Sequence, residues 1–193
     1  MVRGRVHGRR RGSVPSVVVA LLALVLAACG ETPAAAPPPP AYNATDVMFL
    51  QMSLEYVRQG DQVVSPAAQA ATDPAVRALA AELRDQWRAE AQTMQRWLTA
   101  WQKPASADPH AGAHEGHGDL HSLRESDIGE LAAAKGADFD LTAVSMLLGH
   151  LHNCVEVARM EVTGGQYPPA KALAEQMAAT RQQQIQRLLG LAG

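Results

Sequence analysis

The sequence predicts an all-α fold: a pseudo-symmetric four-helix bundle made of two repeated helical hairpins, with a short linker helix between them. Alanine, leucine, glutamine and arginine favour helices and are abundant. Phe, Trp and Tyr, which are enriched in β-strands, make up only 4% of the 193 residues, so the composition does not favour β-sheet. One residue pattern also recurs at a constant offset of 94 residues. Such a repeat is expected if two similar hairpins bury each other's apolar faces.

The repeat runs without a gap over about fifty residues. Its matched pairs are Asp46 and Asp140, Met52 and Met146, Leu54 and Leu148, Tyr56 and His150, Val63 and Val157, Pro74 and Pro168, Arg77 and Lys171, and Leu83 and Met177. The folded part, 46–192, is thereby divided into repeat 1 (46–101), a His-rich loop and linker helix (104–136), and repeat 2 (138–192).

Capping residues and helix breakers predict the helix boundaries. The first helix starts at Asp46 and is predicted to end at Ser65-Pro66, because proline cannot continue the helical hydrogen bonding. Asp73 is predicted as the N-cap and Pro74 as the first residue of a helix that reaches about Trp101. The second half is predicted to contain a short helix at 124–135 closed by Gly136, a helix at 139–163 capped by Asp138, and a last helix from Pro168-Pro169 to about Leu189.

The N-terminal residues indicate a lipoprotein signal. Five arginines precede an apolar run at 17–28, which is too short to span a bilayer. The run ends in Leu26-Ala27-Ala28-Cys29, so we expect a cleaved signal peptide at 1–28, a lipid on Cys29, and a Pro- and Ala-rich tether at 29–45. The protein is therefore expected to be exported and anchored to the cell membrane by this lipid. It would face the outside of the cytoplasm, at the cell surface or in the periplasm.

Charge and cysteine content narrow the class of partner. The whole chain has a net charge of −2, but its five leader arginines leave on cleavage, so 12 basic and 19 acidic residues remain, about −7. We therefore expect no nucleic acid partner, because phosphate binding needs clustered Lys and Arg. Of the two cysteines, Cys29 would carry lipid, which leaves Cys154 without a partner for an intrachain disulfide.

Several segments resemble one protein family, called domain of unknown function 305 (DUF305). They are 49–52, 90–98, 123–140, 146–160 and 168–177, and the resemblance covers about 46–192. It implies an exported, ferritin-like helical bundle and, for some members, copper binding through Met and His. Many members carry paired histidines in the first helix of each repeat. Here the pairs fall on Tyr56-Val57 and His150-Leu151, so one histidine of four is present.

A candidate interior metal site lies in the second repeat. Met146, His150 and Cys154 are spaced four residues apart on the stripe predicted to face the core. A thioether, an imidazole and a thiol form a soft ligand set suited to Cu(I), and Met52 is the candidate ligand from the facing helix. The alternative is that Met and Cys are ordinary core residues and His150 is a buried histidine with its hydrogen bonds satisfied.

A second candidate site is the loop that carries four histidines at spacings of four, three and four. These are His110, His114, His117 and His121, with Asp108, Glu115 and Asp119 among them. Such a segment can bind Cu(II), Zn(II) or Ni(II) without a folded pocket. The alternative is a solvated linker that happens to be rich in histidine.

The sequence does not favour an enzyme. A di-iron bundle needs Glu-x-x-His pairs, and no glutamate in the helices has histidine three residues later. His114-Glu115-Gly116-His117 is one residue short of the zinc-protease spacing, and no Gly-x-Ser-x-Gly elbow occurs. The prediction is a lipid-anchored, non-catalytic protein that binds transition metal, copper above all, as a buffer or tolerance factor. The alternative is a structural or interaction lipoprotein with a degenerate metal site.

Overall fold

The computed structural model describes residues 41–106 and 123–192. Within these ranges the chain forms five helices: α1 (Ala44–Ala70), α2 (Pro74–Ala100), α3 (Glu125–Ala133), α4 (Gly136–Gly164) and α5 (Pro168–Leu191). Helices α1 and α2 form one hairpin and α4 and α5 the other, and the hairpins pack mainly through α1 and α4. No strand occurs in either described range, so the all-α prediction is confirmed. The predicted signal peptide lies outside these residues, as do Cys29 and most of the tether.

Several predicted boundaries are correct. Asp73 caps α2 by accepting a hydrogen bond from the backbone N–H of Ala75 at 2.7 Å, and Pro74 opens the helix. Pro168 opens α5 in the same way. Proline suits these positions because the first backbone N–H groups of a helix have no partner within it.

Three predictions about helix boundaries are wrong. Helix α1 does not end at Ser65-Pro66 but continues to Ala70. Val63, Val64 and Ala67 are fully buried, so the apolar stripe runs past the proline, and its burial outweighs the one backbone hydrogen bond that proline removes.

At the start of the second repeat, Asp138 is not the N-cap of α4. It lies in the first turn, and the N-cap is Lys135. Gly136, which was predicted to close the short helix, begins α4 instead. It has φ of +58°, a conformation that favours glycine.

The interior contains two apolar clusters with polar residues between them. One cluster includes Val64, Leu83 and Leu147, and the other includes Phe49, Met94 and Met177. In α1, α2 and α5, buried polar side chains lie between the two clusters along the chain, whereas in α4 His150 lies among residues of the first cluster. We call these the polar layer: Ser53 in α1, Glu90 in α2, His150 in α4, and Arg181 and Gln184 in α5. None of the described helices combines the length and apolar character needed to cross a bilayer.

Asp140 ties the second hairpin to the turn of the first. It accepts hydrogen bonds from the backbone N–H groups of Thr72 at 2.9 Å and Asp73 at 2.7 Å, and from the Thr72 hydroxyl. Burial acts to raise the pKa of Asp140, but these hydrogen bonds outweigh it and lower the pKa below its usual value. The carboxylate is therefore ionised and fixes the turn that precedes α2.

Asp46 makes the equivalent connection in the other direction. It accepts hydrogen bonds from the backbone N–H groups of Gln166 at 3.1 Å and Tyr167 at 2.8 Å, in the turn before α5, and from that of Asn43 at 2.6 Å. The two turn residues lie 94 positions after those that Asp140 binds. The internal repeat is thus also a repeat of long-range contacts, in which each hairpin holds the turn of the other.

Glu161 of α4 is a fully buried carboxyl group beside Asp46. Burial, then the neighbouring Asp46 carboxylate, raises the pKa of Glu161 to about 8, and Lys171 opposes this. For Asp46, hydrogen bonds outweigh burial and lower the pKa. Neither Glu161 carboxyl oxygen has a hydrogen-bond partner among the described residues. With a pKa of about 8, Glu161 is the protonated acid of the pair near neutral pH, and Asp46 is the carboxylate.

Replacing Asp140 with Ala is expected to lower the free energy of unfolding by roughly 2–3 kcal/mol, because three donors of the α1–α2 turn lose a charged acceptor. Urea denaturation measures the change. The control is Asp85→Ala, whose side chain is 65% exposed and which should change stability by less than about 0.5 kcal/mol. Equal stability of Asp140→Ala and the parent would contradict the role of this carboxylate.

Glu161→Gln is expected to reduce the pH dependence of stability. The carboxyl ionises near pH 4.5 in the unfolded chain and near pH 8 in the folded one, so the native state holds more protons across that window. The contribution of this carboxyl group to the stability of the parent should therefore fall as pH rises from about 4.5 to about 8. The glutamine variant should lose that contribution when Tm is measured between pH 5 and pH 9. Glu156→Gln, on the exposed face of the same helix, serves as control and should keep the slope of the parent.

Candidate metal site

The polar layer encloses a small cavity at the middle of the bundle, with a volume of about 10 Å³. Its lining residues come from all four long helices: Ser53, Tyr56 and Val57 of α1, Trp87 of α2, His150 and Cys154 of α4, and Met177 and Arg181 of α5. A space of this size holds about one water molecule or one ion. The cavity therefore has room for an ion but not for an organic ligand.

His150 is the central donor at this cavity. It is 2% exposed, and its ring lies between Tyr56, with ring centroids 5.7 Å apart, and Trp87, at 5.4 Å. Neither ring nitrogen has a hydrogen-bond partner; the backbone of Tyr56 comes near without completing one. Burial, reinforced by the charge of Arg181, lowers the pKa of His150 to about 4. The imidazole is therefore neutral and keeps a free lone pair for a metal ion.

Two sulfur atoms face the same cavity. Cys154 follows His150 by one helical turn and is a free, buried thiol. Burial raises its pKa to about 11, although the positive charge of Arg181 acts in the opposite direction. Met177, 3% exposed, approaches from α5. One imidazole and two sulfur donors are the ligand types that suit Cu(I).

Arg181, the cation of a buried ion pair, forms part of the cavity wall. Arg181 of α5 is 1% exposed and donates two hydrogen bonds to Glu90 of α2, one at 2.9 Å and the other shorter. Its guanidinium carbon also lies 5.9 Å from the centre of the Trp87 ring. Gln86 donates to the Glu90 carboxylate at 2.9 Å and accepts from Gln184 at 2.7 Å. The carboxylate is thus engaged by its neighbours, and the pair as a whole is neutral.

The structure brings together only part of the ligand set predicted from sequence. His150 and Cys154 line one cavity, but Met52 and Met146 do not line it with them. Each is half-buried, and they pack against different apolar clusters. The reason is the angle of about 40° between successive residues four apart on a helix, which turns Met146 away from Cys154. Met177 lies at the cavity instead.

The other predicted ligands lie outside the described residues: His110, His114, His117 and His121 of the loop, and Cys29 as the lipidation site. Within 41–106 and 123–192, no group of three or more His, Cys, Asp or Glu side chains is arranged to hold a metal ion. At the cavity, Met177 contributes a thioether beside the His150 imidazole and the Cys154 thiol.

Sequence reasoning missed Met177 and Arg181 as cavity residues, and Glu90 as the partner of Arg181. A signal for the charged pair exists, because Glu90 lies four residues before Met94 and three after Trp87 on the buried stripe of α2. A charge at such a position is seldom buried unless it is paired. The identity of its partner, 91 residues away, does not follow from the 94-residue offset.

Comparison with known proteins identifies the fold independently. The profile of the family described as domain of unknown function (DUF305) matches residues 46–192. A solved DUF305 fragment from Deinococcus radiodurans is 18% identical, covers 81% of this chain and 99% of its own, and has a TM-score of 0.69. Another solved structure is a DUF305 protein from Streptomyces coelicolor that is inferred to be secreted. It is 19% identical, covers 76% of this chain and 89% of its own, and has a TM-score of 0.69.

CopM, solved in metal-bound forms, has the same fold. The Cu(II)-bound form is 21% identical, with coverage of 76% of this chain and 95% of its own and a TM-score of 0.64. The Cu(I)-bound form is 19% identical, covers 77% of this chain and 96% of its own, and has a TM-score of 0.62. At these identities the likeness establishes the fold alone. No curated protein matches the sequence.

Gly60 gives a direct test of how tightly the cavity is packed. A Cβ atom there would lie 2.4 Å from Trp87 and 2.6 Å from Nε2 of His150. Gly60→Ala is therefore expected to lower the free energy of unfolding by about 1–3 kcal/mol, measured by urea denaturation. Gly149→Ala is the matched control, since nothing lies within 4 Å of that position. It should leave stability unchanged or raise it by up to about 1 kcal/mol; the same loss in both variants would contradict this packing.

Proposed function

The chain belongs to the DUF305 family, and from that premise we propose that it is a non-catalytic, extracytoplasmic protein that binds copper as a buffer or tolerance factor. The observation that carries the proposal is the position of His150. Its two ring nitrogens are buried without a hydrogen-bond partner in the same cavity as the Cys154 sulfur. An unpaired buried polar atom is unfavourable, and a bound metal ion would satisfy it.

The donors at the cavity fit copper better than harder ions. Imidazole nitrogen, thiol and thioether sulfur prefer soft or borderline metals, whereas Mg²⁺ and Ca²⁺ require oxygen ligands. The only carboxylate close to the cavity among the described residues of the polar layer is Glu90, and Arg181 and Gln86 already engage it. Solved structures of CopM with Cu(I), Cu(II) and Ag support the proposal, because the same fold holds these ions in that protein.

The proposal extends to where the protein acts. The lipobox Leu26-Ala27-Ala28-Cys29 predicts export with a lipid on Cys29, and a structural neighbour inferred to be secreted is consistent with export. The histidines at 110–121 would add a second, more adaptable site for Cu(II) or Zn(II) near the same membrane surface. Export would place both sites where copper enters from outside.

The alternative function is a structural or interaction lipoprotein with a degenerate site. Tyr56-Val57 stands where many family members have paired histidines, and Arg181 brings a permanent positive charge to the cavity wall. Both features would weaken a site built from four histidines. Under this alternative, His150 is a remnant, and replacing it with an apolar residue should not reduce stability.

Cu(I) is expected to raise the Tm of the folded protein, and His150→Leu should abolish the increase, because a ligand that binds only the native state stabilises it. The measurement uses the full chain with the loop histidines 110, 114, 117 and 121 all replaced by Ala, so that only the interior site responds. At a free Cu(I) concentration of 100 times Kd, the stabilisation should be about 2.7 kcal/mol.

His152→Leu is the matched control for this measurement. It lies on the exposed face of the same helix, where its Nδ1 meets the Leu148 carbonyl oxygen at 2.7 Å. Cu(I) should stabilise this variant as much as the parent. If Cu(I) changes the Tm of neither the parent nor His152→Leu, the interior copper site is refuted and the degenerate-site alternative is favoured.

A further inference from the structure

We infer that the polar layer selects soft monovalent cations over soft divalent ones, and that the buried Glu90–Arg181 pair sets this limit. The inference rests on the proposed function, because it assumes that a metal ion enters the cavity beside His150. It goes further in stating which charge the site accepts and which side chains, themselves not ligands, decide it.

The donors around the cavity can supply at most one negative charge. His150 and Met177 are neutral ligands, and Cys154 is the single sulfur donor that can become an anion, by releasing its proton to solvent as the metal binds. Tyr56 also lines the cavity and contributes a neutral hydroxyl group. Ser53 and Trp87 complete the polar lining without charge.

The ion pair contributes no further negative charge. Glu90 and Arg181 are 8% and 1% exposed, and their charges cancel. Both carboxylate oxygens accept hydrogen bonds from Arg181, and one also accepts from Gln86. Of the two partners it is Arg181, the cation, that lines the cavity. A metal ion would thus meet the positive end of the pair.

Charge counting then separates the two classes of ion. A monovalent cation with the Cys154 thiolate forms a neutral centre, which an interior between two apolar clusters accommodates. A divalent cation would leave one uncompensated positive charge next to Arg181, and an unpaired charge in a low-dielectric interior is strongly unfavourable. The selectivity therefore arises from the total charge of the layer, in addition to the softness of its ligands.

Ag(I) and Cd(II) test this charge effect, since both are soft, redox-stable cations that differ in charge. Competition titrations use the full chain with the four loop histidines replaced by Ala. The parent should bind Ag(I) at least 100-fold more tightly than Cd(II). Met177→Leu should weaken Ag(I) binding at least tenfold, whereas Met146→Leu, the control outside the cavity, should leave it unchanged.

Two charge variants and their combination form the central comparison. Arg181→Gln leaves the Glu90 charge unpaired and should tighten Cd(II) binding at least tenfold relative to Ag(I). Glu90→Gln leaves Arg181 unpaired and should weaken the binding of both ions at least tenfold. The double variant restores neutrality and should return the ratio of the two affinities to within about threefold of the parent.

The outcomes separate this inference from the function on which it rests. If the parent binds neither Ag(I) nor Cu(I), the proposed copper function is wrong, and the inference falls with it. If the parent binds Ag(I) but binds Cd(II) as tightly, or if its affinity ratio does not respond to the charge variants, only the charge selectivity is refuted. Circular dichroism of each metal-free variant checks folding. Where one single variant does not fold, the other still tests whether the ratio responds to charge, and the ratio measured for the parent tests the selectivity in either case.

Discussion

The pairing of Glu90 with Arg181 is the constraint around which the middle of the bundle is built. Two charges in a core must be paired and hydrogen-bonded, so α2 and α5 carry long polar side chains there and meet through Gln86 and Gln184 as well. A buried ion pair seldom stabilises a fold more than apolar residues of the same size. Its presence between two apolar clusters is therefore better explained by the polarity that it gives to the cavity than by stability.

The internal repeat supplies a symmetric scaffold that carries an asymmetric site. Tyr56 and His150 are repeat equivalents, and their rings meet edge to face in the polar layer. Gly60 is the equivalent of Cys154, and its missing side chain leaves room for Trp87 and His150. The first repeat thus contributes an aromatic ring and open space through Tyr56 and Gly60, whereas the second contributes the candidate metal ligands His150 and Cys154. The difference between the two repeats at these positions accounts for one interior candidate site among the described residues, where the symmetry of the bundle would allow two.

Much of the fold follows from sequence because it depends on local and periodic features. The 94-residue offset predicts the two hairpins, and Asp73 with Pro74 predicts the start of α2. The path of α1 through Pro66 could not be predicted, because it depends on the burial of Val63, Val64 and Ala67 against other helices. The cavity residues could be predicted only where they share a helix, because contacts between helices do not follow from local spacing. Spacing on one helix identifies His150 and Cys154, whereas Met177 reaches the cavity only through the packing of α5 against α4.

The near-complete burial of the candidate ligands has a kinetic consequence. His150, Cys154 and Met177 are 2%, 8% and 3% exposed, and the cavity that they line is little larger than one water molecule. An ion would enter or leave only when the helices separate locally, and such openings occur on slower timescales than side-chain rotation. Exchange would then be limited by the opening rate of the bundle rather than by encounter with the metal. Under the proposed function, such a centre would release its metal slowly and would serve as a store.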